Sequence, residues 1–224
     1  GAVLYGLKKL NLDKKPDNIP LLQSCAAIGQ IDLMERYKAE FKKYNIIPAQ
    51  ILVSTEDFNN RKRYLNLMNT INMLLSLNII PIFNENDSIN IEELKFGDND
   101  HLSALITLMM NFDMLIILTD VDGLYDKDPK ENSDAKLIKC INKVDESCLR
   151  VASNKVSKFS SGGMKAKIES SQKVANAGID VFIGNGFKVN LEKIINNEEN
   201  GTYIYGEKEK INARLRWIGF SPVN

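Results

Sequence analysis

Short apolar runs rich in Ile and Val alternate along this chain with longer stretches of helical periodicity, and that alternation narrows the fold more than any other feature. The runs are Ala49–Val53, Ile79–Phe83, Met114–Thr119, Val181–Gly184 and Thr202–Tyr205, each of strand length. Within Arg61 to Leu77, the residues Tyr64, Leu67, Met68, Ile71, Leu74 and Leu75 repeat at helix spacing. The pattern predicts further helices from about Asn99 to Asn111, around Glu146–Ala152 and from about Gly163 to Ala177. Asn78 and Gly178 stand where helices stop. Upstream, Leu33, Tyr37, Phe41 and Tyr44 suggest one more helix with a single apolar face. Strands and helices in this order predict an α/β fold, its mostly parallel sheet covered by helices on both faces. The polar tail from Asn196 to Glu209 reads as a surface loop around an edge strand.

A chain of 224 residues suits one large domain or two small ones. At that length folding buries roughly 70–75% of the unfolded surface, so no disulfide or metal staple is needed. Basic and acidic residues balance at 29 each, which removes any electrostatic case for nucleic acid or an anionic membrane. Cys25, Cys140 and Cys148 are odd in number and lack a C-x-x-C spacing, so neither zinc nor a disulfide framework is indicated. A reducing cytoplasm fits that usage. No apolar stretch approaches the ~20 residues of a membrane span. The opening Gly1-Ala2-Val3-Leu4-Tyr5 has neither the pattern of a signal peptide nor an initiator Met.

Three motifs carry chemistry. The first pairs Asn84-Glu85-Asn86-Asp87, closing the Ile79–Phe83 run, with Asp98-Asn99-Asp100, opening a helix. Carboxylates and amides at a strand's carboxyl end and at a helix start suggest one cleft rim, where α/β sheets bind ligands. Such groups hold ammonium, hydroxyls or magnesium-bound water. The second motif, Ser160-Ser161-Gly162-Gly163-Met164-Lys165-Ala166-Lys167, brings glycines and the positive end of a helix to an anion. Lys167, near the buried face, reaches toward the same place. The Walker A spacing is absent. The third, Leu118-Thr119-Asp120-Val121-Asp122-Gly123-Leu124-Tyr125, ends a strongly apolar strand in groups suited to a ribose or base edge. Its Asp-x-Asp-Gly lacks the remaining ligands of a calcium loop. Taken singly, each motif has a plainer reading as helix cap, polar turn or Gly-rich loop.

His101 is the only histidine, and no Ser-His or Cys-His pairing is evident. Phosphoryl transfer to a carboxylate needs no general base, but it does bring two anions together. Like charges ~4 Å apart repel by about 1 kcal/mol in water and about 4 kcal/mol at a typical effective protein dielectric. Lysines, magnesium and helix N-termini offset that repulsion.

In order and spacing the three motifs resemble the glutamate 5-kinases of the amino-acid kinase superfamily, from Gly1 to about Phe220. Ala26-Ala27-Ile28-Gly29-Gln30, Ala49-Gln50-Ile51-Leu52, Arg61 through Asn66 and Arg216-Trp217-Ile218 agree with it. The resemblance implies a three-layer αβα sandwich. It also implies ATP- and magnesium-dependent phosphorylation of the L-glutamate side chain to L-glutamyl 5-phosphate, for proline synthesis. Asp87 and Asn99 would hold glutamate, and Thr119 and Asp120 the nucleotide. Ser161, Gly162, Gly163, Met164, Lys165, Ala166 and Lys167 would wrap the phosphates, with Lys167 as the catalytic residue and the metal carried by the nucleotide. A homo-oligomer and feedback inhibition by proline come with the family.

Against the family pattern, the first lysine and the substrate serine are missing from this sequence, and Ser160-Ser161 stands where Gly-Thr is usual. The expectation is therefore an amino-acid kinase domain over residues 1–224, incomplete at its N-terminus and without a PUA domain, with little activity alone. Alternatives on the same fold are another acceptor (aspartate, acetylglutamate or a nucleotide monophosphate) or the kinase half of a bifunctional pyrroline-5-carboxylate synthase. A non-catalytic homologue that binds glutamate or proline is a third.

Overall fold

The structure, a computed structural model, describes residues 1–89, 99–129, 131–153 and 163–207. These fall into two compact units, residues 1–89 and residues 99–207. Among the described residues no helix is long and apolar enough to cross a membrane.

The first unit runs α1 (Ala2–Lys9), α2 (Ile19–Lys42), β1 (Ile47–Val53), α3 (Thr55–Asn59), α4 (Arg61–Ser76) and β2 (Ile79–Glu85). Asn18 starts α2 by accepting the Leu21 N–H, with Pro20 in the first turn. The expected apolar stripe of this helix needs correction. Tyr37 is 39% exposed, and Tyr44, at 73%, lies beyond the helix end. The covered stripe is Leu22, Cys25, Ala26 and Gly29, because the helix begins at Ile19 and its first half packs on α1. That packing is close enough to require glycine. A Cβ on Gly29 would lie 1.9 Å from the Ala2 carbonyl oxygen, and one on Gly6 1.9 Å from that of Cys25. Gly29→Ala is therefore expected to destabilise the protein by about 1–3 kcal/mol, read as a lower Tm in thermal denaturation. An unchanged Tm would mean that the helices part without cost.

Strands β1 and β2 pair in parallel, from Ile47 opposite Ile79 to Val53 opposite Glu85. Helix α4 ends as expected at Asn78, which adopts φ 56°, but of its apolar residues only Ile71 is fully covered. The second strand extends past Phe83. Asn84 and Glu85 are its last, buried residues rather than the start of a turn. A parallel strand keeps its ladder to the carboxyl end, and here the ladder carries two polar side chains into the interior.

The second unit contains α5 (Asn99–Met110), β3 (Met114–Thr119), β4 (Cys140–Ile141), α6 (Glu146–Ser153), α7 (Gly163–Asn176), β5 (Asp180–Asn185), α8 (Leu191–Ile195) and β6 (Thr202–Ile204). Its sheet has the order β3-β5-β6-β4, parallel except where β5 meets β6. The period-two alternation of the strands sorts two cores. Leu115, Ile117, Val181, Ile183 and Ile204 face a core shared with Ala104 and Leu108 of α5, Ala152 of α6 and Ile168 and Val174 of α7. Phe182 and Tyr203 face the other way, edge to face at 4.8 Å, with Ile194 of α8. Helices thus cover both faces within this unit. One expectation fails: β6 is not an edge strand. Its three residues are buried and it lies between β5 and β4, because residues Cys140–Ile141 add the outer strand that their length hid in the sequence.

Asp145 precedes α6 and its Oδ1 accepts the Ser147 hydroxyl and the backbone N–H groups of Ser147 and Cys148. Led by the Ser147 hydroxyl, those donors lower its carboxyl from the ordinary 3.8 to about 2. Folding lowers this pKa, so the contribution to stability is complete above the unfolded value and is lost as pH falls toward about 2. A carboxyl NMR titration should place the folded midpoint near 2; a midpoint at the ordinary value would refute the cap.

Candidate active site

In the second unit the helix that carries the expected phosphate loop packs beside the helix that carries the expected substrate amide. Lys167, in the second turn of α7, places its Nζ 2.7 Å from Asp100 Oδ2, in the first turn of α5. The two side chains are only 12% and 17% exposed. Both helices reach this position because Ala104, Leu108 and Ile168 pack into the same core. Met164 and Ile168, three before and one after Lys167, are buried, so the lysine emerges at the edge of the covered face. A charge pair this well covered has its geometry fixed. Asn99 stands immediately before Asp100, at the amino end of α5. Asp100 belongs to the acid-amide cluster Asp98-Asn99-Asp100, yet its role as the lysine's partner is not evident from sequence. The helix period gives only its place, since the first turn of α5 places neighbouring side chains around one helix end.

The remaining expected phosphate contacts differ in what they present. Ser161 and Gly162 lie outside the described residues. Gly163 opens α7 with φ 43°, a backbone conformation that favours glycine. Met164 is a core residue, so only its backbone faces away from the core. Ala166 is half-buried, and Lys165 sits on the exposed side, 3.7 Å from Glu169 one turn on. The first turn of α7 carries backbone N–H groups that have no partner within the helix. Together with the Lys167 ammonium, whose charge is shared with Asp100, they form a donor-rich helix end suited to phosphate oxygens.

Thr119 is the last residue of β3 and faces Asn185, the last of β5. Its hydroxyl donates to Asp120 Oδ1 at 3.2 Å, and its carbonyl accepts the Gly186 N–H. Asp120 is exposed at this carboxyl end of a parallel strand pair. Beyond it, Asp122 is held by Lys188 Nζ at 2.9 Å, Asn185 Nδ2 and the Tyr125 hydroxyl. Lys188 above all keeps the Asp122 carboxyl below its ordinary range.

In the first unit, Asp87 follows β2 in a turn and is half-buried. Behind this turn, Asn84 Nδ2 donates to Gln30 Oε1 at 2.9 Å, and Gln30 Nε2 donates to Gln50 Oε1 at 3.1 Å. This amide chain joins α2, β1 and β2 at the base of the Asn84–Asp87 segment. In sequence, Gln30 and Gln50 stand out only through the family resemblance. Among the described residues no group of three or more His, Cys, Asp or Glu side chains could hold a metal ion. His101 is partly covered, with Lys173 Nζ 3.5 Å from its Nδ1.

A lysine near a helix amino end thus stands beside a mostly parallel sheet in an α/β scaffold. Residues 1–185 match the model of the amino acid kinase family, and the chain belongs to that family. Solved structures share the fold. An isopentenyl phosphate kinase in its substrate complex superposes with a TM-score of 0.59 at 21% identity, over 89% of this chain and 77% of that one. Aspartokinase III of E. coli, in complex with aspartate and ADP, does so with a TM-score of 0.54 at 17% identity, over 92% and 45%. In sequence, the chain is 43% identical over 222 residues to a glutamate 5-kinase of Thermoanaerobacter sp. (strain X514), covering 99% of this chain and 60% of that protein. It is 43% identical over 228 residues to glutamate 5-kinase 1 of Bacillus subtilis (strain 168), covering 100% and 62%. The chain thus spans about three fifths of the length of the curated relatives it matches.

Proposed function

We propose that this chain carries the kinase chemistry of a glutamate 5-kinase: transfer of the terminal phosphoryl group of ATP to the side-chain carboxylate of L-glutamate, giving L-glutamyl 5-phosphate for proline synthesis. The observation that carries the reading is the covered Lys167–Asp100 pair, which sets the lysine beside the helix end bearing Asn99. Identity of 43% to glutamate 5-kinases supports glutamate as the acceptor.

The roles follow from charge. Asn99 and Asp87 bind the amino acid, Asp87 pairing its ammonium. Thr119 and Asp120 bind the nucleoside end of ATP. Ser161 through Ala166 offer backbone donors to the phosphates, and Lys167 stabilises charge on the transferring group. Asp100 is a positioning residue: it holds the lysine's Nζ at a fixed point, so little reorganisation is required as charge develops. Magnesium enters with the nucleotide and neutralises part of its phosphate charge. The attacking group is already an anion, so no side chain need take up a proton. On this reading the protein works in the cytoplasm as a homo-oligomer, with proline as feedback inhibitor. The kinase domain extends over residues 1–224.

The test is ADP release by the complete gene product with a panel of acceptors: glutamate, aspartate, acetylglutamate and a nucleotide monophosphate. Turnover dependent on glutamate is expected. Turnover with another acceptor in its place would reassign the substrate, and binding of glutamate or proline without any turnover would make the protein a regulatory homologue.

A further inference from the structure

We propose that Asn185 is a positioning residue for the nucleotide, clipping the loop that bears Thr119 and Asp120 to the end of β5; the inference rests on the reading of that loop as the nucleotide's contact. Asn185 is 7% exposed and sits opposite Thr119 at the last rung of the β3–β5 ladder. Every polar atom of its carboxamide is engaged. Nδ2 donates to the Asp120 carbonyl at 3.2 Å and to Asp122 Oδ1 at 3.1 Å, while Oδ1 accepts the Phe187 N–H at 3.0 Å. The adjacent Gly186 N–H donates to the Thr119 carbonyl at 2.9 Å. Two loops that leave neighbouring strands are thus locked by one side chain.

The chemistry of the site demands an amide. An aspartate would set a third oxygen acceptor against the Asp120 carbonyl and the Asp122 carboxylate. An apolar isostere would leave both loops without their partner in a covered position. The strands themselves do not depend on the clip, because the β3–β5 ladder and the apolar residues on both its faces lie behind it. What the clip controls is the direction of the Thr119–Asp122 segment, with Asp120 exposed at its tip. Lys188, also on the β5 loop, closes the same arrangement from outside through Asp122. The clip therefore acts on nucleotide affinity through Thr119 and Asp120, and it has no route to the acceptor's affinity.

The experiment compares wild type with Asn185→Asp and Asn185→Leu in the complete gene product. ATP and ADP binding is measured by calorimetry, alongside the KM for each substrate and the Tm. Each variant is expected to weaken nucleotide binding roughly 10-fold and to lower Tm by a few degrees, with the KM for glutamate near wild type. Adding Asp122→Asn to Asn185→Asp restores a donor–acceptor pair with its polarity reversed, and should recover part of the lost affinity. Unchanged nucleotide affinity in both variants would overturn the proposal, as would a parallel loss of Tm and of affinity for both substrates. Calorimetry with nucleotide alone keeps the outcome separate from the acceptor's identity. If wild type fails to bind ATP, the functional reading falls; if it binds and the variants match it, only the role of Asn185 does.

Discussion

Lys167→Ala is expected to lower kcat for glutamate phosphorylation by roughly 10²–10³-fold, the range seen when one preorganised donor is removed from a transition state. The side chain is 12% exposed and held 2.7 Å from Asp100, so its charge is neither free to wander nor fully screened by water. As the phosphoryl group moves between two anionic oxygens, a fixed ammonium lowers the energy of that arrangement more than that of the bound reactants. Affinity for glutamate should therefore change by only about twofold, since an interaction realised mainly in the transition state appears in kcat. Steady-state kinetics and calorimetry on the complete gene product decide the matter. A kcat close to wild type, with the loss appearing only in glutamate affinity, would remove Lys167 from the transfer step.

Asp100→Asn should also be damaging, though less so and for a different reason. It keeps the shape and one acceptor oxygen but removes the charge that holds the lysine, leaving a mostly covered ammonium beside a neutral amide. Hydrogen bonds to charged groups contribute about 1.5–3 kcal/mol, and part of that is lost here. For a protein of this size a loss of about 1 kcal/mol lowers Tm by roughly 2–4 °C. The kcat is expected to fall about tenfold or more, because the lysine is no longer directed to one point. If the two residues act as a unit, Asp100→Asn combined with Lys167→Ala should cost less than the sum of the single losses. Strict additivity in both Tm and kcat would show that the short ion pair is incidental.

Most of the element order was legible from periodicity. Met114–Thr119 is a strand with the expected limits, and the helices beginning at Arg61, Asn99, Glu146 and Gly163 start where predicted. The strand is an unbroken apolar run, and the helices from Arg61 and Gly163 carry apolar residues at helix spacing and are followed by Asn78 and Gly178, both with positive φ. What periodicity missed was either short or set by contact. Strand β4 is two residues long, too few to show a period. Periodicity puts the stripe of α2 on Leu33, Tyr37, Phe41 and Tyr44, whereas the buried side is Leu22 with the small residues Cys25, Ala26 and Gly29 that let α1 approach.

Residue chemistry alone marked the acid-amide clusters, the glycine-led helix with its lysine, and the polar end of β3, because such groups at strand and helix ends have few other uses in combination. Composition by itself gave no case for a disulfide framework or for a basic binding face. The sequence did not indicate that Lys167 is paired with Asp100, 67 positions away. Nor did it show that Asn185 fastens the Thr119 loop, or that Gln30 spans from Asn84 to Gln50. Those are distances between elements far apart along the chain, and only the packing of helices on sheets brings their side chains within hydrogen-bond reach.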